Sequence, residues 1–462
     1  MMEATAEFAR HLVRTRYDDL PPEVVEITKQ QVLDLLGVAV SGIGQPGAKE
    51  LVALLAESGG RPESTVIGCG LRLPAADAAQ LNATLAHTRD YDDVHESAVM
   101  HPGVVTIMPA LAIAERIGGC SGRDLIAAVA LGTDLICRLG LATRPGVSPL
   151  QTGWHFTSLY GYPTAALTAA RLLGLDEART LNAFGIAYHQ CSGNGQAVTD
   201  GALTKRLGPG MASRGGVMAA LMAQRGITGA RESLEGRQGL FQVYHHGEFD
   251  RDELVGGLGT RWENLRVSLK PYPCCRGIHP TIDAALALHR RLGGDASRVR
   301  GIALATGAAN HRLLCTPHEA KVRPRNPVDA QFSIPWGLVI ALRKGRVTMA
   351  DFGPDAVADE ATLVLAACVR TQVDEALNSP RGIEAVRVTV TLDDGTELSE
   401  IVRDPTGSPG QPLSWSQIVE KFDDCLDGAG GAVPASRARH AVELVRDLER
   451  LTDVRELIAL FA

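Results

Sequence analysis

The sequence predicts a mainly α fold: a large all-helical domain joined to a smaller α/β (α+β) module. Three observations lead there. From the start to about residue 225, apolar residues recur at helical spacing in one alanine-rich segment after another. After about residue 265 the period changes, and 299–305 and 385–392 alternate as strands do. The closing stretch, 440–462, is helical again. The boundaries that follow are 1–265 for the helical domain and 266–402 for the smaller module. Helices from about 403–462 then return to the first domain.

Taken in order, residues 3–17 read as a first helix with Phe8, Leu12 and Val13 on one face. Pro21 and Pro22 end that segment and start the next, about 22–42, with Val24, Val25, Val32, Leu35, Leu36 and Ala39 as its stripe. Toward Val38 and Val40 the pattern turns apolar all round, which places this end inside the protein. A short helix fits 47–57, and 64–73 is a loop or short hairpin. Helices follow at 75–87, 104–117 and 122–139, the last capped by Ser121 with Asp124 three residues on. Residues 144–159 read as a loop holding Gly153-Trp154-His155, with helices at 162–173, 177–188 and 209–225. Gly174 and Asp176 serve as the stop of one helix and the cap of the next. In the second module, helices at 281–292, 328–343 and 359–368 separate the strands. Asp393-Asp394-Gly395 turns 385–392 into 397–402.

Composition narrows the function classes. A net charge of −7 argues against a nucleic-acid partner. An anionic ligand would have to be met by local lysines and arginines. The nine cysteines are scattered, and the opening residues are amphipathic and charged rather than secretory, so reduced thiols and a cytoplasmic location are expected. The longest apolar runs, such as 361–369, are too short for a membrane span.

The chemistry-bearing stretch is Asp90–Gly103, DYDDVHESAVMHPG. Its fourteen residues carry three aspartates, a glutamate, two histidines and a tyrosine. No helical or strand period runs through it, and apolar helices flank it on both sides. Three readings fit: a solvated turn, a metal site, or a loop for acid–base chemistry and anion handling. No HExxH, paired CxxC or calcium-loop spacing accompanies it. Asp90, Asp92, His95 and His101 are the set a metal-dependent hydrolase would use. Elsewhere, His155 follows Trp154 in an irregular stretch. Lys205 sits in a polar, glycine-flanked segment before a small-residue helix. Lys270-Pro-Tyr272-Pro-Cys274-Cys275 opens the second module, with His279 close behind, and Arg323 and Arg325 form a basic loop. Each has a plainer reading as a hydrogen-bonded structural histidine, a solvated charge, a domain-junction segment or a packing thiol.

Taken together, NATLAHTRDYDDVHESAVMHPG, GWHFTSLYG, the Lys205 segment, SLEGRQGLF, KPYPCCRGIHPTIDAAL and DAQFSIPWGLVIAL resemble the MmgE/PrpD superfamily. That group includes 2-methylcitrate dehydratase, iminodisuccinate epimerase and cis-aconitate decarboxylase. The match runs in order over roughly residues 20–400. The resemblance implies a helical domain with a lid-like α/β domain, usually as a homodimer, with the site between them and no metal or organic cofactor. It implies a small di- or tricarboxylate substrate and the catalytic set Asp90, His101, His155, Lys205 and Lys270. Tyr91, His95, Tyr272, Cys275, His279, Arg323 and Trp336 are the expected substrate contacts.

Three positions depart from the decarboxylase pattern: Val94 in place of Thr, Cys275 in place of His, and Trp336 in place of Tyr. Their loss of polarity counts against decarboxylation, and dehydration of the 2-methylcitrate type is the first expectation from the resemblance. Epimerisation and decarboxylation follow as alternatives. A carboxylate-binding protein without turnover is the reading from another class.

Overall fold

The computed structural model describes residues 3–143, 152–379 and 382–462. The chain divides into two compact units, Met1–Val267 with Trp415–Ala462, and Ser268–Ser414.

The first unit is helical around one hairpin. Pro22 begins the Pro22–Ser41 helix at a position where its missing N–H costs nothing. Ala75–His87, Gly103–Ile117 and Gly122–Ala142 are buried almost end to end, as their all-round apolar sequences require. Gly122–Ala142 is long and apolar enough to cross a membrane by length and composition, and its apolar window is wholly buried in the protein. Its Asp134 and Arg138 form a buried ion pair of 2.7 Å, and Arg138 also donates to the Gly256 carbonyl at 2.8 Å. Ser64–Val66 (β1) and Leu71–Leu73 (β2) pair as the antiparallel hairpin.

Two helices start earlier than their sequences suggest. The one expected from Tyr162 runs Phe156–Leu172, and the one expected from Pro209 runs Thr204–Gln224. Pro163 and Pro209 therefore lie inside helices instead of opening them. Each removes one backbone bond, a loss that tertiary packing can offset. The consequence for function is that Lys205 stands in the first turn of a helix, not in a loop. Of the stretch expected as a loop, 144–151 lies outside the described residues.

The Thr204–Gln224 helix packs against both Phe156–Leu172 and Ala75–His87. The contact is close because small residues line it. A Cβ on Gly210 would stand 2.6 Å from the Gln80 carbonyl oxygen. At the other end of the chain, Trp415–Asp427 returns to lie on Pro22–Ser41. Its Lys421 is buried, 2.6 Å from the Asp34 carboxylate and 2.8 Å from the Tyr91 carbonyl, with the ammonium 4.0 Å above the Tyr91 ring.

The second unit is built on a four-stranded sheet ordered β4-β3-β5-β6, with β3 Val299–Thr306, β4 Val369–Val373, β5 Val386–Leu392 and β6 Glu397–Val402. β3 and β4 are parallel, and the other neighbours are antiparallel. The alternate residues Val386, Val388, Val390 and Leu392 face a core shared with the His279–Arg291 and Ile334–Lys344 helices. β4 is an edge strand whose Arg370 and Gln372 leave only a weak apolar alternation, so its sequence does not announce it. The single helix expected over 328–343 is two, Pro327–Gln331 and Ile334–Lys344. Ser333 breaks it by accepting the Trp336 N–H on its hydroxyl, 3.1 Å away, as an N-cap does.

Candidate active site

The acidic loop is folded inward rather than solvated. Asp90, Asp92, Asp93 and His95 are all buried. Asp90 adopts a left-handed backbone, φ 53°, at the turn that leaves the Ala75–His87 helix. Asp93 anchors the loop at the start of Gly103–Ile117, where its carboxylate accepts the Gly103 N–H at 3.0 Å and the Gln31 amide at 2.7 Å. A Cβ on Gly103 would stand 2.8 Å from that carboxylate, so the Pro-Gly pair after His101 is the shape this contact needs. Burial, then the neighbouring Asp92 and Asp34 charges, push Asp93 up to about 7.

His101 is held at both ends of its own residue. Its backbone N–H donates to the Thr157 hydroxyl at 3.0 Å, and its ring Nδ1 lies 2.8 Å from the Asp93 carbonyl oxygen and 3.4 Å from Asp92 Oδ2. A carbonyl only accepts, so Nδ1 carries the hydrogen and the lone pair of the neutral ring is on Nε2. His155 sits immediately before Phe156–Leu172, its backbone N–H donating to the Gly193 carbonyl at 3.2 Å and its Nδ1 2.8 Å from the Ser158 hydroxyl. Burial holds His155 well below the usual histidine range, and positive charge on His87, Lys205 or His101 would add to that. Lys205 pairs with Asp90 at 2.5 Å.

Sequence reasoning overlooked His87, which stands at the centre of this group. It is the last residue of the Ala75–His87 helix and is fully buried. Its Nδ1 is 2.7 Å from Asp92 Oδ2, and its ring lies 4.9 Å from that of His101 and 5.9 Å from that of His155. Asp90, His101, His155 and Lys205 are therefore brought together in the first unit, around a histidine that reads in the sequence as the end of a core helix.

The remaining candidates have other surroundings. Tyr91 packs under Lys421, and His95 pairs with the buried Glu263 at 3.3 Å. Lys270 belongs to the second unit and is 1% exposed. There, Tyr272 donates its hydroxyl to Asp283 at 2.7 Å, and His279 lies between Arg276 and the Cys274 carbonyl. Cys275 donates its N–H to the Gln331 carbonyl, Arg323 is exposed, and Trp336 is a core residue whose indole N–H donates to the Asp351 carbonyl at 3.2 Å. A hollow of about 660 Å³ lined by Arg10, His11, Arg14 and Trp262 contains none of these residues.

Donor atoms of His87, Asp92 and His101 lie within 4.8 Å of one another, close enough to consider a metal. Both Nδ1 atoms are instead engaged as hydrogen donors toward Asp92 and the Asp93 carbonyl. We assign no ligands in this cluster.

The molecule thus combines a helical body, an inward-folded acidic loop with clustered imidazoles, and a small α/β unit. Comparison with known proteins gives that combination its name. The MmgE/PrpD N-terminal domain model matches residues 6–252 and the MmgE/PrpD C-terminal domain model matches 272–449. The chain belongs to the MmgE/PrpD family. It is 29% identical to a cis-aconitate decarboxylase of Aspergillus terreus (strain NIH 2624 / FGSC A1156), over 99% of this chain and 95% of that protein. It is 25% identical to the human cis-aconitate decarboxylase, over 99% and 94%. A 2-methylcitrate dehydratase of Cupriavidus necator is 28% identical over 59% of this chain and 57% of that protein.

Proposed function

We propose that the protein is a lyase acting on a small di- or tricarboxylate, moving a proton next to a carboxylate, with dehydration of a 2-methylcitrate-like hydroxy acid as the first reading. The observation that carries it is the tethered His101 ring, backed by a carboxylate and linked through the His87 ring to a second imidazole that burial keeps neutral.

In this reading His101 Nε2 accepts the proton from the carbon beside a carboxylate, and Asp92 stabilises the imidazolium that forms. His155 offers a hydrogen bond to the departing hydroxyl. That hydroxyl takes the proton back from His101 and leaves as water, so the C–H and C–O bonds are replaced by one C=C bond. Lys205, oriented by Asp90, counters a substrate carboxylate, whose burial would otherwise be costly. No metal or organic cofactor enters these steps.

Decarboxylation is the second reading, favoured by the full-length relatives named cis-aconitate decarboxylases. The departures at Val94 and Cys275 count against it, whereas Trp336 is a core residue of the second unit.

The test is to incubate the protein with citrate, 2-methylcitrate, cis-aconitate and iminodisuccinate in deuterated water and follow proton NMR. Loss of water from a hydroxy acid supports the first reading, loss of carbon dioxide the second, and exchange at carbon without either an epimerase. No change in any of the four would reject the lyase proposal in favour of binding without turnover.

A further inference from the structure

We propose that His87 and Asp92 form a positioning pair that sets how strongly His101 holds its proton. The inference deepens the acid–base reading above and rests on it for its catalytic meaning.

The geometry makes Asp92 Oδ2 a shared acceptor. His87 Nδ1 approaches it at 2.7 Å and His101 Nδ1 at 3.4 Å. The shorter bond belongs to His87, so the carboxylate is held more closely by that ring than by His101. His101 Nδ1 stands farther from the carboxylate and also meets the Asp93 carbonyl at 2.8 Å. Removing the His87 donor would release Asp92 to His101 and strengthen the imidazolium. Removing the Asp92 charge would weaken it.

A packing role alone does not account for His87. With Nδ1 donating to Asp92, Nε2 is a buried acceptor that makes no hydrogen bond to any described residue. Leaving such an atom unsatisfied carries a desolvation cost that an apolar side chain at the end of an alanine-rich helix would avoid. Burial lowers the proton affinity of His87, and the neutral ring that results still donates from Nδ1 to Asp92. The charged and titratable groups around the pair are Asp90, Asp92 and Asp93 from the loop, His101 before the Gly103 helix, His155 before the Phe156 helix and Lys205 from the Thr204–Gln224 helix.

The full-length protein labelled with ¹⁵N-histidine tests this by imidazole NMR titration, with His101 assigned by loss of its signal in His101→Gln. His87→Asn keeps an N–H near the Nδ1 position, and His87→Leu removes it. We expect the His101 midpoint to rise by about one pH unit or more in His87→Leu, to stay near wild type in His87→Asn, and to fall in Asp92→Asn. Should His87→Leu not fold, His87→Gln, whose amide reaches past Asp92, is expected to show the same rise. Equal midpoints in the asparagine variant and in whichever of the leucine or glutamine variants folds would overturn the proposal, as would an Asp92→Asn midpoint that does not fall. The titration needs no substrate. Midpoints that move as expected without turnover of any polycarboxylate would discard the lyase reading and keep the pair, and turnover with unmoved midpoints would do the reverse.

Discussion

At the scale of single residues, the acidic loop puts groups that favour water into the interior and relies on specific partners to keep them there. Asp93 shows the cost. Its proton is held up to about 7, against an ordinary value of 3.8, by burial and by the Asp92 and Asp34 charges. The folded protein therefore binds that proton more tightly than the unfolded chain. Stability on this account is greatest below the ordinary value and falls as pH rises from about 4 toward 7. Asp93→Asn, which keeps an acceptor for Gln31, should flatten that slope in urea denaturation series run across this range. An unchanged slope would remove the assignment.

The proposed chemistry makes a second prediction at this scale. His101→Ala and His155→Ala should each lower turnover by about 100-fold or more, measured on whichever acid the NMR screen identifies. Wild-type turnover in either would withdraw that residue's role.

What could be read from residues alone follows from locality. Asp90 and His101 stood out because the loop is dense in titrating groups and carries no structural period. His155 and Lys205 were visible as polar residues near glycine. His87 was not, because it closes an apolar helix and sits five residues from Asp92, a spacing with no helical meaning. Its role depends on a turn that brings the helix end back over the loop.

At the scale of elements, the site depends on how closely three helices approach. Gly210 faces the Gln80 carbonyl and the Thr84 hydroxyl at distances no side chain could occupy. Gly210→Ala should push the Thr204–Gln224 helix away from Ala75–His87 and cost about 1–3 kcal/mol in urea unfolding, the range for overpacking. Lys205 is on the first of these helices and Asp90 is in the turn just after the second, so their 2.5 Å pair should loosen with the shift. Stability equal to wild type would show that the packing yields more easily than the backbone contact implies. The helices themselves were legible from their period. Two of their starts were not, because proline is read as a beginning, whereas neighbouring helices here hold it in the interior of an element.

At the scale of the molecule, the first unit is closed by a segment far away in the chain. Lys421 lies 330 residues beyond Tyr91 and is buried between the acidic loop and Asp34. Lys421→Met would leave the Asp34 carboxylate without this ammonium and should destabilise the unit by about 3–5 kcal/mol. Adding Asp34→Asn should recover a large part of that loss, which chemical denaturation of the two variants can check. No sequence motif signals this pair, because neither partner is unusual within its own helix.

That late-arriving ammonium also bears on how the protein is born. A ribosome releases the helices, the acidic loop and its histidines first, then the entire second unit, and only afterwards the lysine that underpins the loop. Until Lys421 emerges, the nascent polypeptide lacks the cation that binds the Asp34 carboxylate and the Tyr91 carbonyl of the loop. Chains stalled before this point should expose the loop to protease, and chains released just past it should protect it.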